Sequence, residues 1–345
     1  MRDIEMNSKT VTNANRRCRL LVTGIPTDAV VDRAVDEFDV QFWRETDPIG
    51  DRLVEKSSGF DAVLVMPDDK LDRDLIGRLS PSIKVLATHS VGYDHIDVAA
   101  ATARRLPVFN TPDVLTDAVA DIALFLILAA ARRTTSAEVA LRNGEWGRWA
   151  PTLFLGRSLD RQRLGIFGMG RIGMAIASRA SAFGMLVHYH NRSRLSVDKE
   201  RGAQFHDSLE SLLSVSDMFC ICAPSTPQLR GIIDAKRLAM LPFGAMVVNI
   251  ARGDLVDEAA LFAAVQEGRV GAVGTDVYRG EPNIDARWLD LTNATLLPHI
   301  GSATHEVRTA MGMLALDGIH SHFSGVPAAN LLNPQVYAVT RRSGD

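Results

Sequence analysis

The sequence predicts two α/β domains, the second a doubly wound parallel sheet, with the end of the chain returning to the first. Three observations carry this prediction: short β-branched runs alternate with amphipathic stretches along most of the chain, one long apolar helical pattern divides them into two series, and a glycine-rich turn opens the second series. The length of 345 residues suits about two domains, each large enough to bury its own core. The first series places strands at Leu20–Ile25, Ala62–Met66, Ile83–Thr88 and Pro107–Asn110. A helical pattern from about Val114 to Arg133 is apolar on more than one face, as expected of a helix packed on two sides, and is read as joining the domains. Six further strands begin near Leu164, Met185, Met218, Ala245, Val270 and Thr295; a last helix, about His305 to Phe323, follows the sixth and can carry the chain back.

Composition excludes several classes of function. At 46% hydrophobic and 23% charged residues the chain has the makeup of a folded protein rather than a disordered one. Lys plus Arg (38) nearly balances Asp plus Glu (41), and the net charge of −3 provides no field that would gather nucleic acid or anionic membrane. Cys18, Cys220 and Cys222 form neither a disulfide framework nor a spaced zinc site, so a reducing cytoplasm is expected. The apolar run Ala123–Ala131 falls well short of the ~20 residues that span a bilayer. The first eighteen residues lack the apolar core of a secretory signal and read as a mobile tail.

The most informative stretch runs from Arg163 to Gly173 and contains Gly168-x-Gly170-x-x-Gly173 at a strand-to-helix junction. Dinucleotide binding needs a tight turn at Gly168, close backbone approach to pyrophosphate at Gly170, helix-on-strand packing at Gly173, and a positive helix end. A purely structural glycine turn is the alternative. The next strand ends in His188-Tyr-His-Asn-Arg-Ser-Arg194, where an NAD site usually places a carboxylate for the ribose hydroxyls. Asn191 stands there instead, and Arg192, Ser193 and Arg194 offer charge and hydroxyl donors suited to a 2′-phosphate, so NADPH is favoured and NADH is the second choice. The competing reading is a solvated basic turn. His188 and His190 could chelate a metal, but ordinary packing is the commoner fate of strand histidines, and no metal is expected.

Ligands of open α/β sheets bind beyond the carboxyl ends of the strands. There the fourth, fifth and sixth strands of the second series run into Arg252, Glu281 and His299. Singly each has an ordinary structural reading, as ion-pair partner, turn residue and packing histidine; their placement at one sheet edge favours a shared site.

Together with Val91-Gly92-Tyr-Asp, Asn110-Thr-Pro-Asp-Val-Leu-Thr116, Ala223-Pro-Ser-Thr226, Asn249-Ile-Ala-Arg252-Gly-Asp, Asp276-Val and Pro298-His299-Ile-Gly-Ser, the glycine motif makes the chain resemble the D-specific 2-hydroxyacid dehydrogenase family from about residue 20 to 335. The resemblance implies two Rossmann-like domains: a substrate-binding one from 1–112 and 305–345, and a dinucleotide-binding one from 113–304. It implies Arg252 as carboxylate binder and carbonyl polariser, Glu281 as partner of the histidine, His299 as acid/base group, and the backbone of Val91 and Gly92 as a grip on the substrate carboxylate. Cofactor contacts are implied for Gly168, Gly170, Arg171, Ile172 and Gly173, for Asn191, Arg192 and Ser193, and for Ala223, Pro224, Ile250 and Ala251. Gly301 belongs to the same set, as do Asp276 and Thr116 near the nicotinamide end. The Asn191-Arg192-Ser193 ending looks like the NADPH-preferring glyoxylate and hydroxypyruvate reductase branch; the run from Pro298 to Glu306 is similar to 2-ketogluconate reductases.

These assignments agree with the chemistry of the residue types. Reducing a 2-oxo acid takes a hydride at carbon and a proton at oxygen; a histidine beside a carboxylate can supply the proton, and an arginine fork can fix the substrate carboxylate. Other readings are a different dehydrogenase of the same family, such as one acting on phosphoglycerate, a redox-sensing corepressor with little turnover, and a chiefly structural assembly role. A homodimer is expected, with Val114 to Trp149 at its interface, because a many-sided apolar helix is followed there by Trp146 and Trp149.

Overall fold

The computed structural model describes residues 16–44 and 49–338, so the expected mobile tail lies, up to residue 15, outside the described residues. The chain divides into two units, one running to Pro112 and resuming at Thr309, the other spanning Asp113–Arg308.

The first unit holds five parallel strands, β1 (Arg19–Val22), β2 (Asp39–Phe42), β3 (Ala62–Val65), β4 (Val85–Thr88) and β5 (Val108–Phe109), in the order β2-β1-β3-β4-β5. Side chains alternate between its two faces, as the strand period requires: Leu21, Val63 and Leu86 enter one apolar cluster, while Leu20, Val22, Leu64, Val85 and Ala87 enter the other. Burial on both faces explains why these strands read as unbroken apolar runs. The edge strand β2 was not anticipated. Its residues are at most half-buried, and Asp39 and Gln41 are exposed, so it carries no apolar run. The helix His305–Ser324 adds Ala315, Leu316 and Ile319 to one face.

The second unit holds seven parallel strands: β6 (Arg163–Phe167), β7 (Leu186–His190), β8 (Gln204–Phe205), β9 (Met218–Ile221), β10 (Ala245–Asn249), β11 (Val270–Thr275) and β12 (Ala294–Leu296). Their order is β12-β11-β10-β9-β6-β7-β8, one strand more than the six expected, because the two residues of β8 are too few to show a pattern. The strand order reverses between β6 and β9, which is where open α/β sheets bind ligands. Phe219, Val247, Val273, Phe262 and Trp288 fill the core on one face. The helix Thr116–Arg132 packs against β10, β11 and β12 and against the helix Arg171–Ala182, burying Val119, Ala123, Leu126, Ile127 and Ala130. It belongs to the second unit, and packing on both a sheet and a helix accounts for its several apolar faces. Among the described residues no helix is long and apolar enough to cross a membrane.

Candidate active site

The carboxyl ends of β6, β7, β9, β10, β11 and β12 supply the site residues of the second unit. Gly168 follows β6 with φ +97°, a conformation L side chains rarely adopt, and a Cβ there would stand 2.6 Å from the backbone of Ala223 after β9. A Cβ on Gly173 would meet the Gly168 carbonyl at 2.6 Å, whereas one on Gly170 would meet nothing within 4 Å. The first and third glycines are therefore required by the protein's own packing, and the second faces open space at the N-terminus of the helix Arg171–Ala182. Orphan N–H groups and the positive end of the helix dipole at that terminus suit a phosphate, so the turn fits a dinucleotide. Arg171 pairs with Asp113 at 2.6 Å on the surface. Thr116 opens the helix whose Val119 would lie 3.4 Å from a Cβ on Gly301.

At the end of β7 the three expected polar residues separate by role. The Asn191 side chain grips the glycine turn reciprocally: its Oδ1 accepts from Met169 N–H at 2.7 Å and its Nδ2 donates to Met169 O at 3.2 Å. Arg192 and Ser193 are exposed, and neither side chain forms a hydrogen bond or ion pair to a described residue. Arg194 turns the other way. It makes a two-pronged bond to buried Glu200 at 2.7 and 3.0 Å, and Tyr189 donates to the same carboxylate at 2.6 Å, which together hold Glu200 down at about 2. This corrects the expectation for Arg194, whose guanidinium is occupied within the fold. His188 Nδ1 lies 2.9 Å from His206 Nε2, and His190 Nδ1 bonds the His206 carbonyl at 2.8 Å. Burial lowers the affinity of His188 and His206 for protons. No group of three or more His, Cys, Asp or Glu among the described residues is arranged to hold a metal.

The ends of β10 to β12 bring Arg252, Glu281 and His299 together. At the last residue of β10, Asn249 Oδ1 accepts from Ala251 N–H at 3.0 Å and its Nδ2 donates to Arg252 O at 2.9 Å, fixing the turn that carries Arg252 and the buried Ile250 and Ala251. After β12, His299 takes φ +53°, and its Nδ1 lies 2.6 Å from Glu281 Oε2. The other Glu281 oxygen accepts from Tyr278 N–H at 2.6 Å. Burial alone would push Glu281 up, but the bonds from His299 and Tyr278 and the charges of His299 and Arg252 outweigh it, so its carboxyl titrates below the usual range. An ionised carboxylate can only accept; Nδ1 therefore carries the hydrogen it receives, which leaves Nε2 as the nitrogen available for chemistry. The His299 ring is 45% exposed, enough for a substrate to reach it.

Asp276, expected near the nicotinamide, spends its carboxylate on the backbone N–H groups of Ile300 and Gly301 at 2.6 and 2.7 Å. It anchors the loop that presents His299. Burial raises it above the ordinary carboxylate range despite those two bonds. Ala223 is buried against Gly168, with Pro224 beside it in the chain.

In the first unit, Val91 and Gly92 follow β4. Their carbonyls are taken, Val91 O by Asn110 Nδ2 at 2.8 Å and Gly92 O by the Ser90 hydroxyl at 2.6 Å. Their N–H groups donate to no described residue. Two adjacent free donors on a turn pinned through its carbonyls can hold a carboxylate. Sequence reading gave Asn110 and Asn249 no role, although the first directly follows β5 and the second ends β10. It also passed over Glu258, a buried acid in an apolar helix, which is a signal by residue type alone.

Residues 124–301 match the family model described as D-isomer specific 2-hydroxyacid dehydrogenase, NAD binding domain. The chain is 41% identical over 310 residues to a glycerate dehydrogenase of Hyphomicrobium methylovorum, covering 89% of this chain and 96% of that protein. It is 39% identical over 331 residues to a glyoxylate reductase of Thermococcus kodakarensis, covering 94% and 99%. Among solved structures it resembles an NADPH-dependent glyoxylate/hydroxypyruvate reductase of Sinorhizobium meliloti in complex with NADP and malonate, with TM-score 0.81, 34% identity, and 92% and 97% of the two chains covered.

Proposed function

This chain belongs to the D-isomer specific 2-hydroxyacid dehydrogenase family, and from that premise we propose that it reduces small 2-oxo acids, glyoxylate and hydroxypyruvate foremost, to D-2-hydroxy acids with NADPH. It is an NAD(P)-dependent oxidoreductase; the finer reading rests on the His299–Glu281 pair, 2.6 Å apart, with the charge of Arg252 acting on Glu281.

When bound, the nicotinamide supplies the hydride. His299, protonated at Nε2 and oriented through Nδ1 by Glu281, donates a proton to the carbonyl oxygen as that oxygen gains charge. Arg252 offers N–H donors to the substrate carboxylate, which limits the carbonyl to one presented face. In the first unit, the N–H groups of Val91 and Gly92, which donate to no described residue, are proposed to grip a substrate carboxylate. Gly168, Gly170, Arg171, Ile172 and Gly173 are assigned to the pyrophosphate, with Ala223, Pro224, Ile250, Ala251, Thr116 and Gly301 lining the cofactor. Asn191 and Asp276 serve by shaping the turns, and Arg192 with Ser193 binds the 2′-phosphate. Domain roles follow: the unit carrying Val91 and Gly92 binds substrate, and the other binds the dinucleotide. The relative named as a glycerate dehydrogenase fits this chemistry, since glycerate is the hydroxy acid of hydroxypyruvate. A cytoplasmic location is part of the reading.

The test is oxidation of NADPH and of NADH against glyoxylate, hydroxypyruvate, pyruvate, phenylpyruvate and 2-ketogluconate. We expect the first two to give the highest kcat/KM, with NADPH preferred; cofactor binding with no turnover of any 2-oxo acid would overturn the reading. The protein is further proposed to be a homodimer. The helix Thr134–Arg142 buries none of its residues, and beyond it Trp146, Trp149 and Leu155 are 59%, 73% and 61% exposed, an apolar surface that a second copy would cover. A monomer by light scattering at micromolar concentration would end that proposal.

A further inference from the structure

We propose that Glu258 is a positioning residue for the acid–base pair, holding the turn that carries Glu281 so that its carboxylate stays against His299. The inference rests on the reading of Glu281 as the partner of His299. Glu258 lies in the first turn of the helix Glu258–Gln266 and is 7% exposed, an unusual place for an acid in a helix otherwise apolar apart from Gln266. Its Oε1 accepts from Arg279 N–H at 2.9 Å, two residues before Glu281, and from the Trp288 indole N–H at 3.2 Å.

Trp288 in turn packs edge-on against Tyr278 and Phe262, with ring centroids 5.5 and 5.0 Å away. Tyr278 donates its N–H to Glu281, and its hydroxyl bonds Leu297 O at 2.9 Å, two residues before His299. The bonds of Glu258 and Tyr278 therefore bracket the Tyr278–Glu281 turn and link it to the strand end that bears His299. Gly253 closes the arrangement, for a Cβ there would stand 2.0 Å from the Tyr278 carbonyl carbon, so the Arg252 turn abuts the same segment. Asn249, Gly253, Glu258 and Trp288 also line one small void behind these turns. Arg252 and Asp276 interact electrostatically with the pair, and Arg287 with Glu258.

Both bonds go to one oxygen, so Gln can keep them while Ala cannot. The test compares the pH dependence of kcat/KM, from about pH 5 to 9, for wild type, Glu258→Ala, Glu258→Gln and Glu281→Gln, with cofactor saturating and thermal stability followed in parallel. Loss of the brace should move the alkaline limb of Glu258→Ala to lower pH in the direction of Glu281→Gln, cutting kcat/KM about fivefold at pH 9 and no more than about twofold at pH 6. Glu258→Gln should restore the wild-type limb. Should Glu258→Ala not fold, Glu258→Asp, which keeps the charge and withdraws the oxygen, must move the limb the same way by less. A uniform loss of rate or stability with an unmoved limb, while Glu281→Gln does move it, would overturn the proposal alone; an unmoved limb in Glu281→Gln would overturn it together with the reading beneath it.

Discussion

The ends of β10 to β12 and the end of β7 both carry charged side chains at the rim of one sheet, yet they are built differently. At the first, every group is held by another: Asn249 fixes the Arg252 turn, Tyr278 and His299 occupy both oxygens of Glu281, and Asp276 ties down the loop behind His299. At the second, Arg192 is exposed and pairs with no described residue, while its neighbours Asn191 and Arg194 are tied down. Proton transfer depends on donor and acceptor standing within hydrogen-bond reach and in the right tautomer, so small displacements cost rate. Recognition of a phosphate by an exposed guanidinium depends chiefly on charge and tolerates a mobile side chain until the ligand orders it.

Four substitutions would break or sharpen this contrast. The largest effect is expected for His299→Ala, which removes the only group assigned to donate the proton: kcat/KM for 2-oxo acid reduction should drop by about 10²- to 10⁴-fold at every pH, with cofactor affinity by fluorescence titration unchanged. Near-normal rates would dissolve the acid–base assignment.

Next comes Arg192→Ala. A charge-assisted hydrogen bond contributes roughly 1.5 to 3 kcal/mol, so kcat/KM for NADPH should fall by roughly 10- to 150-fold while NADH is spared. Equal losses for the two cofactors would show that the exposed arginine does not read the phosphate.

Glu281→Gln should have a conditional effect. Glutamine preserves the shape but removes the negative charge that favours the protonated ring, so the alkaline limb of kcat/KM should move to lower pH while activity at acid pH is largely kept. Steady-state rates from pH 5 to 9 decide it, and a limb that stays in place would detach the carboxylate from the mechanism.

Smallest is Arg194→Gln, which should leave cofactor preference alone because Arg194 is committed to Glu200. Its consequence lies in stability. Glu200 is held at about 2, below its ordinary value of 4.5, so the contribution of the pair is full above the ordinary value and is lost as pH falls toward 2. Thermal melts should show a lower Tm for the variant at pH 7 and a difference that shrinks below about pH 4. A gap independent of pH, or an altered NADPH preference, would contradict the assignment of Arg194 to the fold.

Much was legible before any coordinates. The alternation of apolar runs and helices, the Gly168-x-Gly170-x-x-Gly173 turn and the Arg252, Glu281 and His299 positions all depend on residue type and chain spacing, which a sequence displays directly. Both sheets are parallel and buried on both faces, so most of their strands announce themselves as apolar runs; β2 and β8 were missed because edge strands need no such run and two residues can show no period.

What only the tertiary structure decided is the partnership of polar groups. Arg192 and Arg194 look alike in sequence, and nothing local says that Glu200 and Tyr189 will claim the second of them. Asp276 and Asn191 have the residue types of ligand-binding groups, yet they bond to backbone N–H groups of residues 24 or 25 and 22 positions away. Glu258 reaches Arg279, 21 positions on, in the same manner. Periodicity and composition arise from each segment's own contact with the core. A hydrogen bond is directional and short, so its partner is set by how separate strand ends come to lie side by side in the folded sheet.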